Sequence, residues 1–311
     1  METTTQQDES PYLIGTSGWH YDDWVGPFYP GRFTRGQSEL EYYARHFSCV
    51  EVNSTFYRLQ RIGNAEKWCR EVSKVRGDFR FSVKCWQGLT HDRPDTLPAE
   101  AILHIKDFCK VFIERKMYCG LLIQFPYSFH SGPRSREYLA KLLKIFADFS
   151  PVVEVRCEDW LREEWFFDLL RNHGATFCNI DQPEVRNCPR ATSIVTAPLA
   201  YLRLHGRNTA QWFSESSNRN DRYDYLYGPD EIPEISELAR SLALHAKSVV
   251  VTGNNHYRAQ AVADALLLRQ RLEGHAETAP HSLIETYPQL REVRFLDTLP
   301  QDAFEQPDLF Q

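Results

Sequence analysis

Eight short apolar runs, most of them followed by a segment of helical periodicity, constrain the fold of this 311-residue chain more than any other feature. The runs span residues 12–19, 49–53, 79–84, 120–125, 152–156, 175–181, 200–205 and 248–252, and carry many of the β-branched and aromatic residues that suit strands. Between them the spacing predicts helices over 38–47, 66–75, 99–116, 134–149, 160–173, 232–246 and 259–272. In the first, Leu40, Tyr43, Ala44 and Phe47 share one face, and Ser38 stands where an N-terminal cap is needed. Such alternation implies parallel strands joined by right-handed crossovers. Eight strands and roughly 250 residues are the dimensions of a TIM (β/α)8 barrel. An open doubly wound sheet is the other arrangement that strand count allows. No shift in composition marks a linker within residues 11–274. The expectation is therefore one barrel domain, with a disordered tail at 1–10 and an extension at 275–311.

A content of 42% hydrophobic residues can fill a core of that size. The formal net charge of −6 argues against general coating of nucleic acid but allows a local basic patch that holds a phosphate. No two of the 8 cysteines form a C-x-x-C pair, so neither a zinc knuckle nor an iron–sulfur run is signalled. Residues 1–10 lack the basic and apolar regions of a signal peptide, and no stretch approaches the roughly 18 apolar residues of a membrane span. A cytoplasmic protein with reduced thiols and no membrane partner is expected.

Polar residues gather where the runs end. In Cys49-Val50-Glu51-Val52-Asn53, alternation puts Glu51 and Asn53 on the side opposite the valines, with Tyr57 just beyond. The same two-residue spacing pairs Ser82 with Lys84, Glu154 with Arg156, Asn179 with Asp181, Arg203 with His205 and Thr252 with Asn254, while Gln124 ends the fourth run. A barrel sends such faces into its C-terminal mouth, where active sites of this architecture lie. Glu51, Glu154, Asp181 and His205 are the catalytic candidates for acid–base work. The first three and the histidine could instead bind a divalent metal. Lys84, Arg156 and Arg203 oppose that, because they pair the carboxylates and repel an ion. A balanced cluster better suits an anionic substrate, held by those cations, with no metal and no cofactor.

Two loops would overhang the mouth. Trp19 to Trp24 carries two tryptophans and a tyrosine. Residues 206–229 carry Trp212, Phe213, Tyr223, Tyr225 and Tyr227 among Arg207, Arg219 and Arg222, a mixture able to stack a base or sugar and hold its phosphate. His91 follows the third run, and Asn254-Asn255-His256 follow the eighth. Arg207, Tyr223, Tyr225, His91, Asn254 and Asn255 therefore join Asn53, Tyr57, Lys84, Gln124, Arg156 and Arg203 as candidate substrate contacts.

The ordered motifs Gly15-Thr16-Ser17-Gly18-Trp19, Val50-Glu51-Val52-Asn53-Ser54-Thr55-Phe56-Tyr57, Phe81-Ser82-Val83-Lys84, Thr90-His91, Gln124-Phe125-Pro126, Glu154-Val155-Arg156, Arg203-Leu204-His205-Gly206-Arg207, Tyr223-Asp224-Tyr225-Leu226-Tyr227 and Asn254-Asn255-His256 closely resemble the YecE-like family, domain of unknown function 72. The resemblance covers about residues 12–273 and implies a TIM barrel, but supplies no reaction. Thr252-Gly253 departs from it, standing where an aromatic residue is expected before the Asn pair.

Beyond the barrel, a short helix is expected near 282–290. The terminal Gln306-Pro307-Asp308-Leu309-Phe310 resembles the peptide by which bacterial replication and repair proteins hold the sliding clamp, with Gln306, Leu309 and Phe310 as anchors. The sequence thus suggests an enzyme acting on a phosphorylated or nucleotide-like substrate, by hydrolysis or another acid–base reaction. The alternatives are a repair or replication accessory protein recruited to the clamp, and a metal-dependent hydrolase or isomerase.

Overall fold

The eight apolar runs become strands β1 (Tyr12–Ser17), β2 (Cys49–Val52), β3 (Arg80–Lys84), β4 (Tyr118–Gln124), β5 (Pro151–Glu154), β6 (Thr176–Asp181), β7 (Leu199–Leu204) and β8 (Ser248–Gly253). In this computed structural model, residues 10–33, 36–212, 222–274 and 279–292 are described. Each strand runs parallel to its neighbour in chain order, and β8 pairs with β1 to close the barrel. Closure excludes the open sheet. Where β1 meets β2, a Cβ on Gly15 would lie 2.0 Å from the Cys49 carbonyl oxygen, so the strands approach only because that side chain is missing.

Around the barrel lie α1 (Glu39–His46), α2 (Ser54–Tyr57), α3 (Ile62–Ser73), α4 (Gln87–Thr90), α5 (Ala99–Glu114), α6 (Pro133–Ile145), α7 (Glu164–Asn172), α8 (Glu231–Ala243), α9 (Gln260–Glu273) and α10 (His281–Thr286). Ser38 caps α1 as expected: its hydroxyl accepts from Glu41 N while the Glu41 carboxylate accepts from Ser38 N. Helix α3 starts four residues before the expected position, at an N-terminus where Arg61 provides no side-chain cap for a sequence reading to find. The helix expected over 160–173 is two pieces, a 3-10 segment Glu158–Arg162 and then α7, with the buried Trp160 Nε1 donating to Phe129 O at 2.6 Å. The helix expected over 134–149 stops at Ile145, and a 3-10 turn leads to Ser150 at φ 43°.

Two cores result. The larger lies between the outer barrel face and the helices. The smaller fills the barrel with Cys49, Leu122, Val152, Cys178, Ile180, Tyr201 and Val250. Alternation then decides the mouth, because the residue two places further along each strand faces the same way. Glu51, Gln124, Glu154, Gln182, Arg203 and Thr252 follow Cys49, Leu122, Val152, Ile180, Tyr201 and Val250 in this manner.

Helix α10 and the 3-10 turn Pro288–Glu292 pack on this body through buried Leu283 and Leu290, with Ser282 Oγ donating to Pro27 O and Tyr287 OH to Arg258 O. Part of the expected extension therefore belongs to the barrel's packing. Among the described residues, no helix is long and apolar enough to cross a membrane.

Candidate active site

Arg203, on β7, organises the floor of the mouth and is fully buried. Its Nε and Nη2 donate to the two Glu51 oxygens at 2.9 and 2.8 Å, and its Nη1 donates to Glu154 Oε2 at 2.6 Å. Glu51 also accepts from Ser17 Oγ at 2.6 Å. The Tyr201 hydroxyl lies 3.1 Å from Glu51 and 3.0 Å from Ser82 Oγ. Having one proton, it donates to the carboxylate and accepts from the serine. Every bond here is one that a buried charge requires to be tolerated.

Glu154 Oε1 accepts from Arg156 Nε and faces His205 Nε2 at 3.5 Å. Burial pushes the Glu154 carboxyl up, but the guanidiniums of Arg156 and Arg203 overcome it and hold the group well below the usual carboxylate range. Arg156 Nη2 lies 3.0 Å from one His205 ring nitrogen and 3.4 Å from the other. Those nitrogens flank a single carbon, so a nitrogen that near to both must sit over the ring face. The in-plane directions are left to Glu154 and to Asn254 Nδ2, 3.0 Å from His205 Nδ1. We assign the tautomer from these partners: Nε2–H faces the carboxylate and Nδ1 accepts from the amide. Burial, and then Arg156, push His205 down to about 3. At neutral pH this leaves a neutral imidazole, held between Glu154 and Asn254.

Above this floor lie two adjoining cavities. One, of about 380 Å³, is lined by Trp19, Tyr21, Asn53, Tyr57, Arg203, Asn254 and His256; the other, of about 300 Å³, by Phe56, His91, Tyr127, Gln182, Trp212 and Arg222. Lys84, Gln124, Arg156 and Tyr223 line both. Among the described residues, no carboxylate lines either cavity. Lys84 extends from β3 with its ammonium 4.2 Å from the Phe56 ring centroid, and no hydrogen bond or ion pair engages it among the described residues. Burial, and then Arg203, lower it to about 8. Asn53 leaves the strand geometry expected of it, at φ −79° and ψ −23°, yet still lines the first cavity; its Oδ1 is buried with no partner among the described residues. His91 is half-buried and pushed down to about 4 by burial and then by Lys84.

Four expected site residues lie elsewhere. On β6 the inward residues are Cys178 and Ile180, so Asn179 and Asp181 point outward. Asp181 accepts from Arg207 Nη2 at 2.8 Å and from Tyr227 OH at 2.7 Å. Arg207 also pairs with Glu231 and Glu234. Tyr225 OH donates to Glu231, and Asn255 Nδ2 donates to Asp264 and to Tyr225 O. Asp181, Arg207, Tyr225 and Asn255 are thus placed in a structural layer outside the two cavities. The metal set Glu51, Glu154, Asp181 and His205 does not converge either: Asp181 faces away and Arg203 bridges the two glutamates. Ser17, Tyr201 and Gln182 were missed, because an inward serine, tyrosine or glutamine has no motif of its own; strand parity alone could have found them. Phe213, Arg219 and the expected clamp anchors Gln306, Leu309 and Phe310 lie outside the described residues.

A family model described as "Protein of unknown function DUF72" matches residues 13–289. The UPF0759 protein YunF of Bacillus subtilis is 25% identical over 283 residues, covering 87% of this chain and 98% of its own length. The UPF0759 protein YecE of Escherichia coli is 31% identical over 149 residues, 46% of this chain and 47% of its own. The crystal structure of a DUF72 family protein from Thermotoga maritima has a TM-score of 0.75 at 33% identity, covering 84% of this chain and 99% of that one. With its closed barrel, and with the family's motifs at the strand ends, the chain belongs to the DUF72 family.

Proposed function

We propose that the mouth is the active site of an enzyme acting on a phosphorylated, ring-bearing small molecule such as a nucleotide or a sugar phosphate. The observation that carries this reading is the lining of the two cavities: Lys84, Arg156, Arg203 and Arg222, with no carboxylate among the described residues. The floor groups Glu51, Glu154, Arg203, Arg156 and Lys84 carry two formal negative and three formal positive charges, a surplus of +1 that one anionic group offsets. Trp19, Tyr57, Trp212 and Tyr223 offer faces for a planar ring. Asn53 lines the first cavity, and a small turn of its amide would bring the unpartnered Oδ1 to a hydroxyl or amine donor on the ligand.

Within this reading Glu51, Glu154 and His205 fix Arg203 and Arg156, while proton transfer falls to Lys84, the floor group that can gain or lose a proton near neutral pH. The test is calorimetric titration with nucleoside monophosphates, sugar phosphates and their dephosphorylated counterparts, followed by turnover assays on whatever binds. Phosphorylated compounds should bind and Lys84→Met should weaken them at least about tenfold, a loss of ~1.4 kcal/mol. Equal binding of phosphorylated and dephosphorylated forms, or no effect of Lys84→Met, would reject the reading.

A further inference from the structure

On the rim, outside the floor network, two loops bring three different ligand types together. His130 lies in the loop after β4, and Cys157 and Asp159 lie in the segment after β5. His130 Nδ1 is 3.1 Å from Cys157 Sγ and 3.1 Å from Asp159 Oδ2, and the three ligand atoms all lie within 4.8 Å of one another. Among the described residues no other group of histidine, cysteine and carboxylate converges in this way.

Hydrogen bonds serve this cluster only in part: the Cys157 thiol and the His130 ring can each donate to Asp159, but Oδ1 of that carboxylate is buried with no partner among the described residues. An imidazole nitrogen has one in-plane direction for a proton or a lone pair, so Nδ1 cannot serve the sulfur and the carboxylate together. A cation among the three atoms would satisfy them all. Zinc bonds of about 2.3 Å to sulfur and about 2.0 to 2.1 Å to nitrogen or oxygen set tetrahedral edges of about 3.3 to 3.6 Å, within half an ångström of the two separations from His130 Nδ1. Two further features fit a ligand shell. Ser131 N donates to Asp159 Oδ2 at 3.0 Å and fixes its direction, as outer partners of metal ligands do, while Asp159 Oδ1 is buried with no partner. The His130 side chain is 59% exposed, which leaves room for a fourth ligand from solvent.

We propose that Cys157, His130 and Asp159 form a zinc site on the rim of the mouth, with the fourth coordination position open. The mixed sulfur, nitrogen and oxygen set suits a borderline-soft ion without geometric preference, whereas calcium and magnesium take oxygen ligands. Coordination replaces the thiol proton of Cys157 with the ion. Tyr127, which lines the second cavity, meets the His130 ring edge-on, so an ion here would sit beside that cavity without belonging to its floor.

The test uses the full chain stripped with a chelator, titrated with Zn2+ against a chromophoric competitor and, separately, with Co2+ followed by absorption. One zinc per chain and a sulfur-to-cobalt charge-transfer band are expected. Cys157→Ser should abolish that band. His130→Ala, a surface change, should weaken zinc binding by more than about tenfold, since even outer partners of ligands are worth 10–100-fold. Near-ultraviolet circular dichroism checks that each variant is folded, and Asp159→Asn replaces Cys157→Ser if the latter is not. No stoichiometric zinc, a cobalt spectrum without the sulfur band, or wild-type affinity in His130→Ala would overturn the proposal.

Discussion

Lys84 and Arg203 are both cations at strand ends, yet the structure gives them opposite work. Arg203 is saturated by Glu51 and Glu154, whereas the Lys84 ammonium lies over the Phe56 ring beside the cavities, with no hydrogen bond or ion pair among the described residues. Replacing Arg203 with Met leaves two buried carboxylates without their main partner, so a loss of about 3–5 kcal/mol in stability is expected. Urea denaturation checks it, and an unshifted midpoint would refute the network. Lys84 should instead reveal itself in ligand binding. An ammonium lowered to about 8 attracts an anion below that pH and loses its charge above it. Affinity for a phosphorylated ligand should therefore begin to fall as pH rises through about 8. In Lys84→Arg, whose side chain stays charged, the profile should be flat over that range.

At the scale of elements, helix α1 and the seam between β1 and β2 are decided by local rules. Ser38→Ala removes the capping box of α1 and should cost about 1 kcal/mol, a lowered melting temperature with ligand binding intact. Gly15→Ala drives a methyl group into the β2 backbone, since the nearest atom to its Cβ is the Cys49 carbonyl oxygen. It should destabilise the fold far more than Ser38→Ala, and calorimetry of the two variants side by side measures the difference. Strand β6 teaches the opposite lesson. Both of its faces mix polar with apolar character, and periodicity cannot tell which one turns inward. Asn179 proved to serve the outer layer, where its side chain holds Ile194 and Thr192. Asp181 went with it. On β2, β5 and β7 the apolar alternates Val50, Val52, Val153, Leu202 and Leu204 marked the outer face, and Glu51, Glu154 and Arg203 were legible for that reason.

For the whole molecule, the buried neutral imidazole makes a statement about acid. His205 is lowered from 6.5 to about 3, so the unfolded chain takes up a proton that the folded one refuses. The stability it contributes is present above 6.5 and lost as pH falls from there toward 3. His91, lowered to about 4, acts in the same direction. Chemical denaturation stepped down through this window should show a falling midpoint, and His205→Gln should flatten the fall. A wild-type midpoint that does not move would mean that the ring is not held neutral.

The sequence by itself determined the alternation of strands and helices, the outer faces of most strands, and the list of polar residues that could meet at one end. Those follow from periodicity, which is a property of neighbours. Only the tertiary structure decided that the sheet closes, that β6 turns its carboxylate outward, and that Arg203 bridges carboxylates 152 and 49 residues away, while Lys84 lines two cavities without an ion pair among the described residues. Pairing of charges depends on distance through space, and in a closed barrel that distance is set by strand register and not by separation along the chain.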